Sequence, residues 1–231
     1  MKKSIFIGVL NQGEIRPELS NCLTKMSEQT DYDIFMRYSS AKPIANNRNK
    51  MVQEFLAGSC DYMMMIDSDI VPPPTVLAFA DFEKDIIAAK CYMYQQSMVA
   101  PVIFKRKSDG MYTPINAESS SGLIEVDAVG TGCIMLSRKV LEEIKAPFLN
   151  EYDQDGIKLW GLDIAFCRRA KEKGYKVYAH LDYDCCHWQP INLRIMYRAF
   201  LSHINKKNEL IKQLEESNDP TNKTNNSKLG K

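Results

Sequence analysis

Residues 62–66, Tyr-Met-Met-Met-Ile, form an unbroken apolar run that ends on Asp67-Ser68-Asp69 and a Pro72-Pro73-Pro74 turn. A run this short and this apolar fits a strand covered on both faces, the interior strand of an α/β sheet. The neighbouring segments agree. Residues 4–10 are rich in β-formers, and Ile15, Leu19, Cys22, Leu23 and Met26 then fall on one face of a helix. A second strand is expected over 33–38, a helix over 46–56 stopped by Gly58, and a buried strand over 86–91. Strands alternating with helices predict an α/β fold whose sheet is parallel in its first part.

The pattern changes near residue 100. Residues 101–107 and 111–115 flank Ser108-Asp109-Gly110, a hairpin signal. Strands are expected over 123–129 and 133–137, separated by Gly130-Thr131-Gly132. A short helix over 138–145, a polar loop over 150–158, a helix over 162–173 ending at Gly174 and a strand over 176–180 follow. Leu193, Met196, Tyr197, Phe200, Leu201 and Ile204 have helical spacing, and the residues after 216 are polar, the composition of a disordered tail. The expected organisation is one domain over 1–190, in halves 1–100 and 101–190, then a helix over 191–216 and a tail over 217–231.

The 231 residues, 45% of them hydrophobic, suffice for one large domain with a real core. Lys and Arg number 30 against 29 for Asp and Glu, which excludes a protein whose overall field gathers nucleic acid or anionic membrane. No stretch reaches the ~20 apolar residues of a membrane span, and the first residues, MKKSIFIGVL, read as a strand rather than a secretory signal. Seven scattered cysteines within largely apolar segments read as reduced core residues. A soluble, cytoplasmic protein is expected.

Asp67 and Asp69 are the sharpest chemical feature. Ligands of open α/β sheets bind beyond the carboxyl ends of the strands, where this pair would sit. Two carboxylates there suit Mg²⁺ or Mn²⁺ together with water and phosphate oxygens, although Asp and Ser also build ordinary turns. Arg48 and Asn49 fall near a helix N-terminus, a place for a base or phosphate, or for a cap and a surface charge. Asp163 would cap the helix it begins, and His187 beside Trp188 has no motif of its own.

The order and spacing of several blocks resemble the GT-A-fold nucleotide-sugar glycosyltransferases, near the family 2 type. The blocks are Ala45-Asn46-Asn47-Arg48-Asn49, the strand ending at Asp67-Ser68-Asp69, residues 126–138 around Gly130-Thr131-Gly132, Trp160-Gly161-Leu162-Asp163, and the segment from Gly174 to His187. The resemblance implies a Rossmann-like mixed sheet flanked by helices. It also implies a nucleotide-sugar donor site in which Asp69 holds the metal, Asp67 is shared between metal and ribose, and Ser68 lies between them. His187 would complete the metal site, its imidazole favouring Mn²⁺ over Mg²⁺. Arg48, Asn49 and Asn11 would contact the nucleotide, with a UDP-sugar as the default donor. Asp163 would be the general base of an inverting transfer to a glycan, a lipid-linked saccharide or a modified nucleic acid, with no protein partner required. The family's acidic pair is incomplete here, because Leu162 precedes Asp163.

Two rival classes fit parts of the sequence. Asp67-Ser68-Asp69-Ile70-Val71 after an apolar run also resembles the first motif of haloacid-dehalogenase phosphatases, with Asp67 as nucleophile, although some sixty residues precede it. A non-catalytic GT-A relative would explain Leu162. Phosphate-loop and zinc readings lack their motifs: no Gly-x-x-x-x-Gly-Lys exists, and Cys185-Cys186-His187 has no second cysteine pair at suitable spacing. The helix after residue 191 carries Arg194, Arg198, His203, Lys206, Lys207 and Lys212, an amphipathic pattern suited to packing or to a phosphate-bearing acceptor.

Overall fold

The chain opens with β1 (Lys3–Leu10), α1 (Pro17–Ser27), β2 (Tyr32–Ser39), α2 (Ile44–Ala57) and β3 (Tyr62–Asp67), the alternation expected from the sequence. The computed structural model describes residues 2–11, 13–95, 98–116 and 120–218. A tight turn joins β3 to β4 (Ile70–Val71). A 3-10 helix (Pro74–Phe82) then leads into β5 (Ile86–Lys90). Next come β6 (Tyr92–Gln95), β7 (Met98–Pro101), β8 (Ile103–Arg106), β9 (Tyr112–Pro114), β10 (Leu123–Val126), β11 (Ala128–Val129) and β12 (Cys133–Ser137). The rest is α3 (Arg138–Glu143), β13 (Glu151–Tyr152), β14 (Lys158–Trp160), α4 (Leu162–Glu172), β15 (Val177–Asp184), β16 (Cys186–His187) and α5 (Leu193–Asn218).

Seven strands form the central sheet in the order β10-β15-β5-β12-β3-β1-β2. The pairs β1–β2, β1–β3 and β15–β5 are parallel, whereas β12 runs antiparallel between β3 and β5, and β10 antiparallel on β15. The sheet is therefore mixed and flanked by helices, as expected. Alternate residues of β3 feed two separate cores. Met63 and Met65 pack with Phe55 of α2 and Phe166 of α4, while Met64 and Ile66 pack with Leu19 and Met26 of α1 and Phe79 of the 3-10 helix. All four β3 side chains are fully buried. Each such burial contributes roughly 1.5–3 kcal/mol, so packing on both faces fixes the strand end that bears Asp67.

Several boundaries differ from the sequence expectation. The strand expected over 123–129 divides at Asp127, whose backbone NH donates to the Phe104 carbonyl at 3.0 Å and whose carboxylate accepts from the Arg106 NH at 2.8 Å. That capture sends β10 to the main sheet and β11 to a small sheet with β8 and β9. The expected polar loop over 150–158 contains the β13–β14 hairpin, held at its turn by the Asp153 carboxylate accepting from Asp155 and Ile157. The helix α5 extends two residues beyond the expected boundary at 216, to Asn218; from 219 onward the expected tail lies outside the described residues. All seven cysteines are unpaired and six are buried.

Of the described residues, those up to 95 and from 99 to 188 form one compact unit; 98 and 189–218 belong to a second. Among the described residues, no helix is long and apolar enough to cross a membrane. Met64 tests the two-faced burial of β3. Met64→Ala is expected to lower the unfolding free energy by about 2–5 kcal/mol in urea denaturation; a loss below 1 kcal/mol would contradict a sealed core at this strand.

Candidate active site

The end of β3 is pinned on both sides. The Asp67 NH donates to the Gly132 carbonyl and the Ser68 NH to the Leu10 carbonyl, each at 2.9 Å. Gly132 allows the loop to come this close, since a Cβ there would lie 3.2 Å from Ile70 Cγ1 and 3.5 Å from Asp67 Oδ2. The turn through Ser68 and Asp69 then enters β4, which pairs antiparallel with β16, setting His187 opposite Ile70. The Trp188 NH donates to the Asp69 carbonyl at 2.9 Å and closes this short ladder. Backbone pairing thus carries His187 across the chain to the aspartate turn.

Arg48, in the second turn of α2, is 3% exposed and points into the site. Its Nη2 donates to both Asp67 oxygens, at 2.9 and 2.8 Å, and its Nη1 to the Thr131 carbonyl at 3.1 Å. Arg48, expected at the nucleotide site with a cap or surface charge as the alternative, is here a buried counter-ion of Asp67. Burial raises the Asp67 carboxyl above its ordinary range; Arg48 opposes this, and the charges of Asp163 and Asp69 add to it.

Asp69 and His187 form the second charged pair, with His187 Nε2 3.4 Å from Asp69 Oδ2. Burial pushes the Asp69 carboxyl up, but the His187 contact and the Arg16 charge outweigh it and hold the group below its usual value. The His187 imidazole is raised, first by Asp69, against burial, and further by its Nδ1 contact with the Tyr92 carbonyl. Among the described residues no group of three or more His, Cys, Asp or Glu is arranged to hold a metal. The expected set of Asp67, Asp69 and His187 is thus divided: Asp69 pairs with His187, and Asp67 turns to Arg48.

Asp163 is the second residue of α4, not its cap; Gly161 occupies that position without a side-chain cap bond. The Asp163 carboxylate instead accepts the fully buried Thr131 hydroxyl at 2.5 Å. Arg48, Asp67, Thr131, Lys158, Asp163 and His187 line one cleft of about 560 Å³. Thr131 and Lys158 were not among the residues expected from sequence. Thr131 was legible only as the residue between two glycines, and Lys158 carried no signal within a polar loop.

Three further residues expected at the nucleotide site do not line this cleft. Asn49 is committed to the backbone of Phe148: its Nδ2 donates to that carbonyl at 2.8 Å and its Oδ1 accepts from that NH at 3.0 Å. Both polar atoms of the Asn49 side chain are thus engaged by the backbone rather than turned to the cleft. Asn11 sits at the carboxyl end of β1, with its NH on the Ser39 carbonyl and its Oδ1 accepting the Gly13 NH, both at 2.9 Å. Ser68 occupies the aspartate turn itself. A larger groove of about 990 Å³ opens at the opposite, amino-terminal edge of the parallel strands, lined by Lys3, Asp61 and Arg138. Its charges serve the fold: Asp61 accepts twice from Ser4, and Arg138 donates to the carbonyls of Cys60, Phe55 and Gly58.

The chain matches no protein-family model and no curated protein. Among solved structures, A197 from STIV is similar with a TM-score of 0.55 and 23% identity, over 81% of this chain and 86% of that one. TarS of S. aureus in complex with UDP-GlcNAc gives a TM-score of 0.46 and 14% identity over 83% of this chain and 59% of that one. UDP-glucose pyrophosphorylase complexed with UDP-glucose gives 0.44 and 10%, over 89% and 100%. The likeness to A197 is one of fold, and the two weaker overlaps add nothing to it.

The ion pair generates a direct test. Removing the guanidinium leaves Asp67 charged without its partner, and Arg48→Met should cost about 2–4 kcal/mol at pH 7, less than a fully buried pair because 27% of the Asp67 side chain is exposed. A carboxyl whose folded pKa is raised gains stability as protons are added. The deficit of Arg48→Met relative to the wild type should therefore shrink between pH 7 and pH 5; a deficit that grows on acidification contradicts this account.

Proposed function

We propose that the chain is a divalent-metal-dependent glycosyltransferase that moves a sugar from a nucleoside diphosphate sugar to a hydroxyl acceptor, with Asp163 as general base. The observation that carries this reading is the Asp69–His187 pair. The Tyr92 carbonyl can only accept, so the His187 Nδ1 beside it bears a hydrogen. A neutral ring would then turn the Nε2 lone pair toward the carboxylate 3.4 Å away. Two acceptors remain that close when a cation or proton lies with them, and a backbone carbonyl on the far nitrogen is the usual support of a metal-binding imidazole. One carboxylate and one imidazole suit Mn²⁺ better than Mg²⁺, with diphosphate and water oxygens completing the shell. When bound, the ion supplies Lewis-acid compensation for the charge of the departing diphosphate.

The remaining groups then take distinct duties. Asp67, oriented by Arg48, retains lone pairs for ribose hydroxyls, while Ser68 and Asn11 border the nucleotide at the carboxyl edge of the sheet. Lys158 offers a positive charge on the cleft wall. Thr131 occupies one Asp163 oxygen, so the other is available to take the acceptor hydroxyl's proton at about 2.6–3.2 Å while the anomeric carbon is attacked with inversion. A UDP-sugar is the default donor, and the acceptor is a glycan, a lipid-linked saccharide or a modified nucleic acid. Arg48's hold on both Asp67 oxygens speaks against a phosphatase with Asp67 as nucleophile.

Thermal unfolding in the presence of UDP, GDP and CMP sugars, with and without Mn²⁺, tests this reading. One donor at a hundredfold excess over its Kd should raise Tm by about 5–10 °C with Mn²⁺ present, an effect lost in Asp69→Ala. Asp163→Asn should keep that shift while lowering turnover about 10²–10⁴-fold. No shift with any donor from well-folded protein overturns the proposal.

A further inference from the structure

The helix α5 opens with Asn192, whose Oδ1 accepts the Arg194 NH at 3.0 Å, and continues to Asn218. Leu193, Tyr197, Phe200, Ile204 and Ile211 recur at spacings of three, four and seven and share one face. These side chains are exposed, Leu193 to 80%, Tyr197 to 63%, Phe200 to 60% and Ile204 to 50%, and among the described residues none of the buried hydrophobic core comes from this helix. Arg194 borders the apolar face on one side and His203 on the other, Lys207 falls at its margin beside Phe200, and Arg198 and Lys206 lie on the polar face. No acidic residue occurs from 193 to 208.

We propose that α5 is a membrane-surface element that lies in the headgroup region of an anionic bilayer. Its charge selects this occupant. In a parallel pair of α5 helices, Lys207 would fall on the apolar seam and each basic border would meet its own copy, with no acidic complement before Glu209. An anionic lipid surface complements both borders at once, while Leu193, Phe200 and Ile204 enter the acyl boundary and the long cationic stems reach the phosphates. A nucleic-acid backbone would match the cations but leave the exposed apolar face without a partner. The helix is not apolar enough to cross a bilayer, so it lies along the surface. This inference is independent of the transferase reading.

The test is flotation of the full chain with vesicles of phosphatidylcholine alone or with about one-third phosphatidylserine, at low and high salt. The chain should float with the anionic vesicles and remain behind with the neutral ones, and its binding should weaken as salt rises. F200E/I204E should lower partition at least tenfold. The quadruple variant R194Q/R198Q/K206Q/K207Q should lower it more than about a hundredfold, since each cation near the surface contributes roughly a factor of five. Unchanged far-ultraviolet circular dichroism and Tm would confirm that the variants fold. Absence of wild-type flotation overturns the proposal, as does equal binding to both vesicle types. A salt-sensitive complex with an oligonucleotide, or a concentration-dependent dimer lost in F200E/I204E, overturns it when vesicles are not bound.

Discussion

The Arg48–Asp67 ion pair is the contact on which the rest of the site depends. A strand with a fully buried middle delivers a carboxylate to a place where burial pushes its pKa up. The guanidinium holds the charge there and reaches the Thr131 carbonyl with its other nitrogen. One side chain thereby ties α2, the end of β3 and the loop at 130–132 together. Removing either partner leaves the other a largely buried charge without compensation, which costs stability.

Around that pair, two further ties assemble residues far apart in sequence. The β4–β16 ladder brings His187 to Asp69, and Thr131 joins Asp163 at the start of α4 to the same loop that Arg48 holds. Gly132 makes the arrangement possible by leaving room between Ile70 and the Asp67 carboxylate. The two acids proposed for different duties, Asp69 and Asp163, are set apart by their partners: an imidazole for one and a hydroxyl for the other. Partner chemistry, more than residue type, distinguishes a cation-holding carboxylate from one poised to accept a proton.

What was legible in the sequence was what local pattern determines. The apolar run of β3, the aspartates after it, the hairpin at Ser108-Asp109-Gly110 and the helices all follow from periodicity and turn chemistry within a few residues. What the sequence left hidden were long-range partners. Arg48 was legible as a residue of the nucleotide site, but not as the counter-ion of Asp67, which is nineteen positions away. Asn49 read as its companion, yet adjacent helical residues point in different directions, and Asn49 turns to Phe148. Asp127 broke a seemingly continuous strand through contacts with Phe104 and Arg106 that no local pattern announces.

Electron paramagnetic resonance of Mn²⁺, titrated with the full chain and a nucleoside diphosphate, tests the central claim most directly. The account predicts that the sharp signal of hydrated Mn²⁺ falls when chain and nucleotide are both present, and that Asp69→Ala restores it. A signal that stays unchanged with folded wild-type protein and saturating nucleotide would contradict a cation site at Asp69 and His187.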